Sequence, residues 1–257
     1  MNTAFIITFL LLGFIGSFSS GLLGIGGAII NYPIHLYIPP LLGLDGVTAH
    51  EISGIVAVQV FFSTLGGVWA YRRGGYINKP LFVVMGSSIM VGSFAGGYIS
   101  QYVSETIVNV MYGVLALTAA IIIFIPKKET NGETVTGFNK PLAAVLALVV
   151  GLASGVVGAG GSFILLPIML IILKIPMRIT IATSMAITFV SSIGGVIGKV
   201  TTGQVPYLPA VLIIIVSLIA APLGVKISRQ INHKVLQWSL ALLILITSIK
   251  LWSDILF

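Results

Sequence analysis

The sequence predicts an all-α polytopic membrane protein made of two inverted repeats, each a broken, re-entrant helix hairpin with a glycine-rich tip followed by three transmembrane helices. Three observations predict it. First, 57% of the 257 residues are hydrophobic and only 7% are charged, with a mean hydropathy of +1.14. A soluble domain carries about 25% charge. Second, a glycine-rich string occurs twice: residues 21–33 read GLLGIGGAIINYP and residues 155–167 read GVVGAGGSFILLP, 134 positions apart. Third, the basic residues fall almost entirely on one side when each hairpin enters and leaves by the same face.

The duplication extends beyond the glycine string. Ser63–Val68 (STLGGV) aligns with Ser191–Val196 (SSIGGV), Gly75 with Gly203, and Gly96 with Gly224, all at a separation of 128. The change from 134 to 128 places six extra residues in the first half, in the Pro- and Gly-containing loop 39–47. The halves are 1–126 and 141–257, joined by the polar linker 127–140, which reads KKETNGETVTGFNK with Phe138 its one large apolar residue.

The elements follow in order. Residues 4–23 are an apolar helix without the basic leader and small-residue cleavage site of a signal peptide, and their counterpart recurs mid-chain, so they read as a retained structural helix. The arm 28–38 is about a dozen residues, too short to cross a hydrocarbon core that takes about 20. Segments 47–71, 81–100 and 106–125 are long enough. The second half repeats the plan with 141–157, an arm at 162–173, then 179–199, 206–225 and 234–252.

With this threading, Arg72, Arg73, Lys79, Lys127, Lys128, Lys140, Lys174, Arg178, Lys226, Arg229 and Lys234 share one side, and only Lys199 and Lys250 lie opposite. Eight crossings with parallel repeats would divide the basic residues nearly evenly. The positive-inside rule therefore favours hairpins, a cytoplasmic linker and two extracytoplasmic termini in the cell membrane.

Helix-breaking glycines inside apolar runs are tolerated where protein or a cavity satisfies the freed backbone. Each second arm starts at a tip inside the membrane, where the first turn leaves unpaired N–H groups and partial positive charge. Two such tips from inverted repeats would make a small electropositive site near the midplane, suited to an anion. Gly26, Gly27, Ala28, Gly160, Gly161 and Ser162 are the candidate binding residues there. The alternative reading of such glycines is close helix packing, and it stays open for Gly66, Gly67, Gly96, Gly194, Gly195 and Gly224.

The doubled GxxGxGG-x5-P pattern, the segment plan, the basic linker and the chain length resemble the TauE/SafE family, the sulfite exporters. Many members carry a third glycine where this chain has Ala28 and Ser162. The resemblance implies transport of small sulfur-containing anions such as sulfite or organosulfonates. Thr183 and Ser184 look like that family's Thr-Ser step.

Other polar residues within the apolar segments are candidates to line the site: Gln59, Ser63 and Ser191. A Ser or Thr can instead bond a carbonyl of its own helix. The amide of Gln59 cannot be fully satisfied that way. His35, His50 and Glu51 are the candidates for proton coupling, with Glu51 equally readable as an acid at a helix N-terminus. There is no cysteine, no phosphate-binding loop and no buried carboxylate pair. The expectation is a secondary transporter working by alternating access, with a channel on the same site as the alternative and an intramembrane enzyme disfavoured. No cofactor, metal or nucleic acid is expected. Small anions and lipids are the expected partners, and a homodimer is an open arrangement.

Overall fold

The computed structural model describes residues 3–23, 27–44, 47–71, 77–123, 137–228 and 249–253. Gly26, most of the linker, Arg72, Arg73 and most of the last predicted segment lie outside the described residues. Nine helices are described: α1 (Thr3–Leu23), α2 (Ala28–Leu41), α3 (Ala49–Tyr71), α4 (Lys79–Ile99), α5 (Glu105–Ile123), α6 (Lys140–Val157), α7 (Ser162–Pro167), α8 (Met177–Thr201) and α9 (Tyr207–Ser228). A 3-10 turn, Ser100–Tyr102, extends α4, and a π turn, Ile168–Ile172, extends α7. Among the described residues there is no strand.

The protein is an all-helical membrane protein. The spans in α1, α4, α6, α8 and α9 are long and apolar enough to cross a bilayer. Ile7, Leu11, Val83, Val145, Val211 and Ile215 are among many large apolar side chains turned outward. A soluble monomer rarely exposes contiguous apolar patches beyond a few hundred Å². The span in α8 is 67% buried, against 39–44% for the other four, so α8 lies at the centre.

The short arms arise from their sequence. At about 1.5 Å per residue, the 14 residues of α2 rise only about 21 Å. The hydrocarbon core is about 30 Å. Pro33 cannot donate to the Ile29 carbonyl four residues back. The hydroxyl of Tyr112 on α5 donates to that carbonyl instead. Pro167 interrupts the second arm in the same register, and the chain there widens into the π turn.

The two halves interlock. α4 packs along α6 and α8, while α9 packs along α1 and α3, so each half's third long helix lies against the other half's first. Helix directions follow from register. Glycines at 92, 151 and 155 let α4 and α6 touch backbone to backbone, pairing Ile89 with Gly151 and Ser93 with Gly155. These two helices therefore run the same way. They also begin alike: Asn78-Lys79-Pro80-Leu81 and Asn139-Lys140-Pro141-Leu142 are the same four residues, and each Asn caps its Leu N–H at 3.0 Å.

Gly13 meets Ile213, and Gly21 meets Ala221, so α1 and α9 are parallel. Gln59 donates to the Gly13 carbonyl at 3.1 Å and Ser20 to Ser63 at 2.9 Å, so α1 and α3 are parallel too. Phe61 stacks on Phe189 while Ser53 meets Lys199, so α3 and α8 are antiparallel. Thus α1, α3 and α9 run one way and α4, α6 and α8 the other.

Charge follows these directions. Lys79, Lys140 and Lys174 sit where α4, α6 and α8 begin, and Lys226 sits where α9 returns to the same end. Glu51 and Glu105 sit at the opposite end, both bonded around the start of α3.

Candidate functional site

Both hairpin tips are turns that glycine makes possible. Gly27 (φ 59°) precedes α2, and Gly161 (φ 76°) precedes α7, both left-handed and neither helix start carrying a side-chain cap. A residue with a Cβ pays about 1–2 kcal/mol for that conformation. Space is also closed: a Cβ on Gly27 would lie 2.6 Å from the Cβ of Ser20, and one on Gly161 would lie 2.9 Å from Val150.

The tips meet the middle of the bundle. Gly160 approaches Val60 on α3 and Thr188 on α8. Ser20, which touches Gly27, bonds Ser63, one turn further along α3 from Val60. Both positions are central in the 23 residues of α3. The N-termini of the two second arms therefore lie at nearly the same depth, one from each half.

The first hairpin encloses a polar cluster. His35 Nε2 lies 3.1 Å from Gln59 Oε1, and Gln59 Nε2 donates to the Gly13 carbonyl at 3.1 Å and to Ser17 Oγ at 3.2 Å. Ser17 bonds Ser217 of α9 at 2.7 Å. His35 stacks on Phe9 with ring centroids 5.7 Å apart. Asn31, one helical turn before His35, sits over Gly16, where a Cβ would collide with the Asn31 and Gln59 amides. Asn31 is fully buried, and neither its Oδ1 nor its Nδ2 has a hydrogen-bond partner; His35 Nδ1 has none either. An unsatisfied buried polar group costs about 1–3 kcal/mol.

The second hairpin is apolar where the first is polar. At the positions equivalent to Asn31, His35 and Gln59 stand Leu165, Met169 and Ile187, each fully buried. The second half instead buries Lys199, in the last turn of α8. Its Nζ has Ser53 Oγ at 2.6 Å, Ser100 Oγ at 2.7 Å, the Val156 carbonyl at 2.8 Å and Gln204 Oε1 at 2.9 Å. An ammonium has three N–H donors, so these four oxygens share them. Four segments are tied together there, among them the end of α6 beside the second tip.

The predicted site residues divide. Gly27, Gly160, Gly161, Gln59, Ser63 and His35 come together around the centre, with the start of α2 at Ala28 and of α7 at Ser162. Ser191 bonds Ser93 of α4 at 2.5 Å, joining the halves. Thr183 is set apart: its hydroxyl accepts the Asn78 N–H at 3.0 Å and fixes the start of α4. Ser184 donates to the Ile181 carbonyl of its own helix. Glu51 lies two and a half turns before Val60 and forms a reciprocal cap with Thr48. Its carboxylate accepts the Thr48 N–H at 2.9 Å and the Thr48 hydroxyl at 3.0 Å, while its own N–H donates to Thr48 Oγ1 at 3.2 Å. His50 sits beside it, its carbonyl accepting from Ser53.

Asn31 and Lys199 were the residues sequence reasoning passed over. Asn31 had a signal: an amide four residues before a histidine on one apolar arm. Lys199, at the end of an apolar segment, carries no such signal in the sequence.

The sequence matches the family described as sulfite exporter TauE/SafE over residues 9–251. The chain belongs to this family of membrane transporters. Among its relatives is the Bacillus subtilis protein named "Probable membrane transporter protein YunE", 22% identical, covering 93% of this chain and 94% of that protein. A second Bacillus subtilis relative, YdhB, carries the same description and is 25% identical over 84% of this chain and 88% of its own. MJ0441 of Methanocaldococcus jannaschii, described likewise, is 26% identical over 88% of this chain and 87% of its own. No solved structure matches the chain. In this TauE/SafE protein the doubled glycine motif of the sequence is the pair of tips at the centre of the bundle.

Proposed function

We propose that this protein is a secondary transporter, working as an exporter, of small sulfur-containing anions such as sulfite or organosulfonates. Its substrate would bind between the two glycine tips, at the N-termini of α2 and α7. The observation that carries this reading is the arrival of two helix N-termini, one from each half, at the depth of Val60–Ser63. Helix N-termini offer N–H donors and partial positive charge to an anion. Glycine lets a ligand reach that backbone. No carboxylate is described near either tip to repel it.

The opposed directions of α1 and α6, and of α3 and α8, support two halves inserted with opposite orientation. The gathering of lysines at one end supports that end as cytoplasmic. Alternating access then follows from rocking one hairpin or bundle against its inverted counterpart. With no nucleotide-binding motif in the chain, an ion or substrate gradient or the membrane potential supplies the energy. An inside-negative potential favours anion exit by about 2.3 kcal/mol per charge per 100 mV.

The test is counterflow in proteoliposomes. Vesicles preloaded with unlabelled sulfite or sulfoacetate should take up the labelled anion transiently above equilibrium, and taurine, a zwitterion, should not substitute. Flux without counterflow would make the same site a channel. Absence of any anion flux from correctly inserted protein would sink the reading.

A further inference from the structure

We propose that the buried amide of Asn31 and the Nδ1 of His35 form a proton-bearing subsite, so that each anion crosses together with one proton. The inference rests on the anion-transport reading above and adds the coupling ion and the atom that holds it.

Hydrogen-bond bookkeeping fixes which ring nitrogen of the histidine carries a hydrogen. A backbone carbonyl only accepts, so the group of Gln59 that meets the Gly13 carbonyl at 3.1 Å must be its NH₂. Its Oε1 therefore faces His35, and Nε2 of His35 must be the donor across the 3.1 Å contact. In the neutral ring that leaves Nδ1 as a bare acceptor. This atom is buried and without a partner, as are both polar atoms of Asn31 one turn nearer the tip.

The unused capacity is therefore one NH₂ group and two acceptors, Asn31 Oδ1 and His35 Nδ1. A bare, fully ionised anion can use only the donor. A proton arriving with the anion changes this. On Nδ1 it turns His35 into an imidazolium, about two helical turns along α2 from the tip, with a second N–H for an anion that moves inward past Asn31; on a protonated oxyanion it becomes the O–H that Nδ1 or Oδ1 accepts. Either way the proton offsets one of the anion's negative charges, the low-dielectric cost of burying that charge falls, and the membrane potential acts only on the charge that is left.

Among the described residues no other ionisable group is set against His35. Phe9 faces it from α1, Gln59 from α3 and Asn31 from its own helix. Tyr32, the titratable neighbour on α2, turns away and donates to Asn109 Oδ1 at 2.7 Å. His35 is thus the group in this cluster able to take a proton. The second hairpin, with Leu165 and Met169 at the equivalent places, offers no equivalent, so one proton per cycle is the expected stoichiometry.

The experiment uses the full-length protein in proteoliposomes with a pH-sensitive dye inside and sulfoacetate, fully ionised near neutral pH, as the probe. Anion entry should acidify the lumen, and a pH gradient with the acid side outside should drive accumulation. His35→Gln keeps a donor toward Gln59 but cannot carry the proton. It should weaken sulfoacetate binding about tenfold or more, the loss of a charge-assisted hydrogen bond, and the anion flux that remains should carry neither acidification nor pH-driven accumulation. Asn31→Leu, the residue of the other half, should raise thermal stability while weakening binding about tenfold, the equivalent of about 1.4 kcal/mol. Wild-type anion flux without proton movement, or pH-driven accumulation by His35→Gln, overturns the proposal and leaves the transport reading intact. Stabilisation by Asn31→Leu with unchanged binding also overturns it. Wild-type protein that moves no anion overturns both.

Discussion

The two hairpins share a backbone and differ in what they enclose. Each begins its second arm at a left-handed glycine and each carries a proline six residues on; the second tip meets the middle of α3 and α8, and the first meets the middle of α3 through Ser20. Yet the first hairpin encloses Asn31, His35 and Gln59, while the second half has Leu165, Met169 and Ile187 at the equivalent positions. The second half places its buried polar group at the far end of α8, where Lys199 is held by four oxygens. Duplication preserved the feature that depends on backbone geometry. Side chains were free to diverge, because an asparagine and a leucine share one branched skeleton and either can occupy that place. The halves are equivalent as scaffold and unequal as chemistry.

The strongest test of scaffold equivalence is the tips. Gly27→Val and Gly161→Val should each abolish transport, since each combines about 1–2 kcal/mol of backbone strain with overpacking of about 1–3 kcal/mol. Counterflow normalised to membrane abundance checks it. If one variant transports normally, only one hairpin meets the substrate and the equivalence fails.

A smaller effect separates the arms at their first residues, Ala28 and Ser162. Ser162→Asp puts a like charge where the anion is proposed to sit and should remove measurable sulfoacetate binding, at a cost of several kcal/mol, roughly what Coulomb repulsion gives at short range and effective dielectric near 20. Ser162→Ala should lose only about 0.5–1.5 kcal/mol, one hydroxyl bond. Binding titrations should rank wild type, then Ala, then Asp. Undiminished affinity in the Asp variant would remove the second tip from the site.

The smallest effect concerns how the central helices start. α3 opens with the Thr48–Glu51 reciprocal cap and accepts further help from Glu105, which takes the Ala49 N–H at 2.9 Å. α8 opens after Pro176 with no side-chain cap. Glu51→Ala should therefore lower stability by about 1 kcal/mol, the usual worth of a cap, while the pH dependence of transport stays as in wild type. Thermal unfolding in detergent and a flux profile against pH measure the two. A displaced pH profile would return Glu51 to a role in proton movement.

The geometry of the glycine tips was legible because it rests on backbone requirements. Adjacent glycines within an apolar run, repeated at fixed spacing, mark a turn that other residues adopt only at a cost. The N-terminus of the following arm is then placed without any knowledge of packing. Gln59 was legible for a similar reason: its amide has more hydrogen-bonding capacity than its own helix can use. The hydroxyls were less legible. Thr183, Ser184 and Ser191 are alike in sequence, but one caps the loop before α4, one bonds its own helix, and one joins the halves through Ser93. A hydroxyl is satisfied by whichever neighbour comes within reach, and sequence does not say which.

By itself the sequence determined a duplicated all-helical membrane protein, the place of the glycine turns and the shortness of the second arms. Each depends on local composition or on chain length against bilayer thickness. Tertiary structure decided which half carries unsatisfied polar atoms at its centre and why Lys199 can be buried at all. The oxygens around Lys199 come from α3, the turn after α4, the end of α6 and the loop before α9, between 5 and 146 residues away. Solvation of a buried charge is a sum over groups brought together by packing, and that sum exists only once the halves have interlocked.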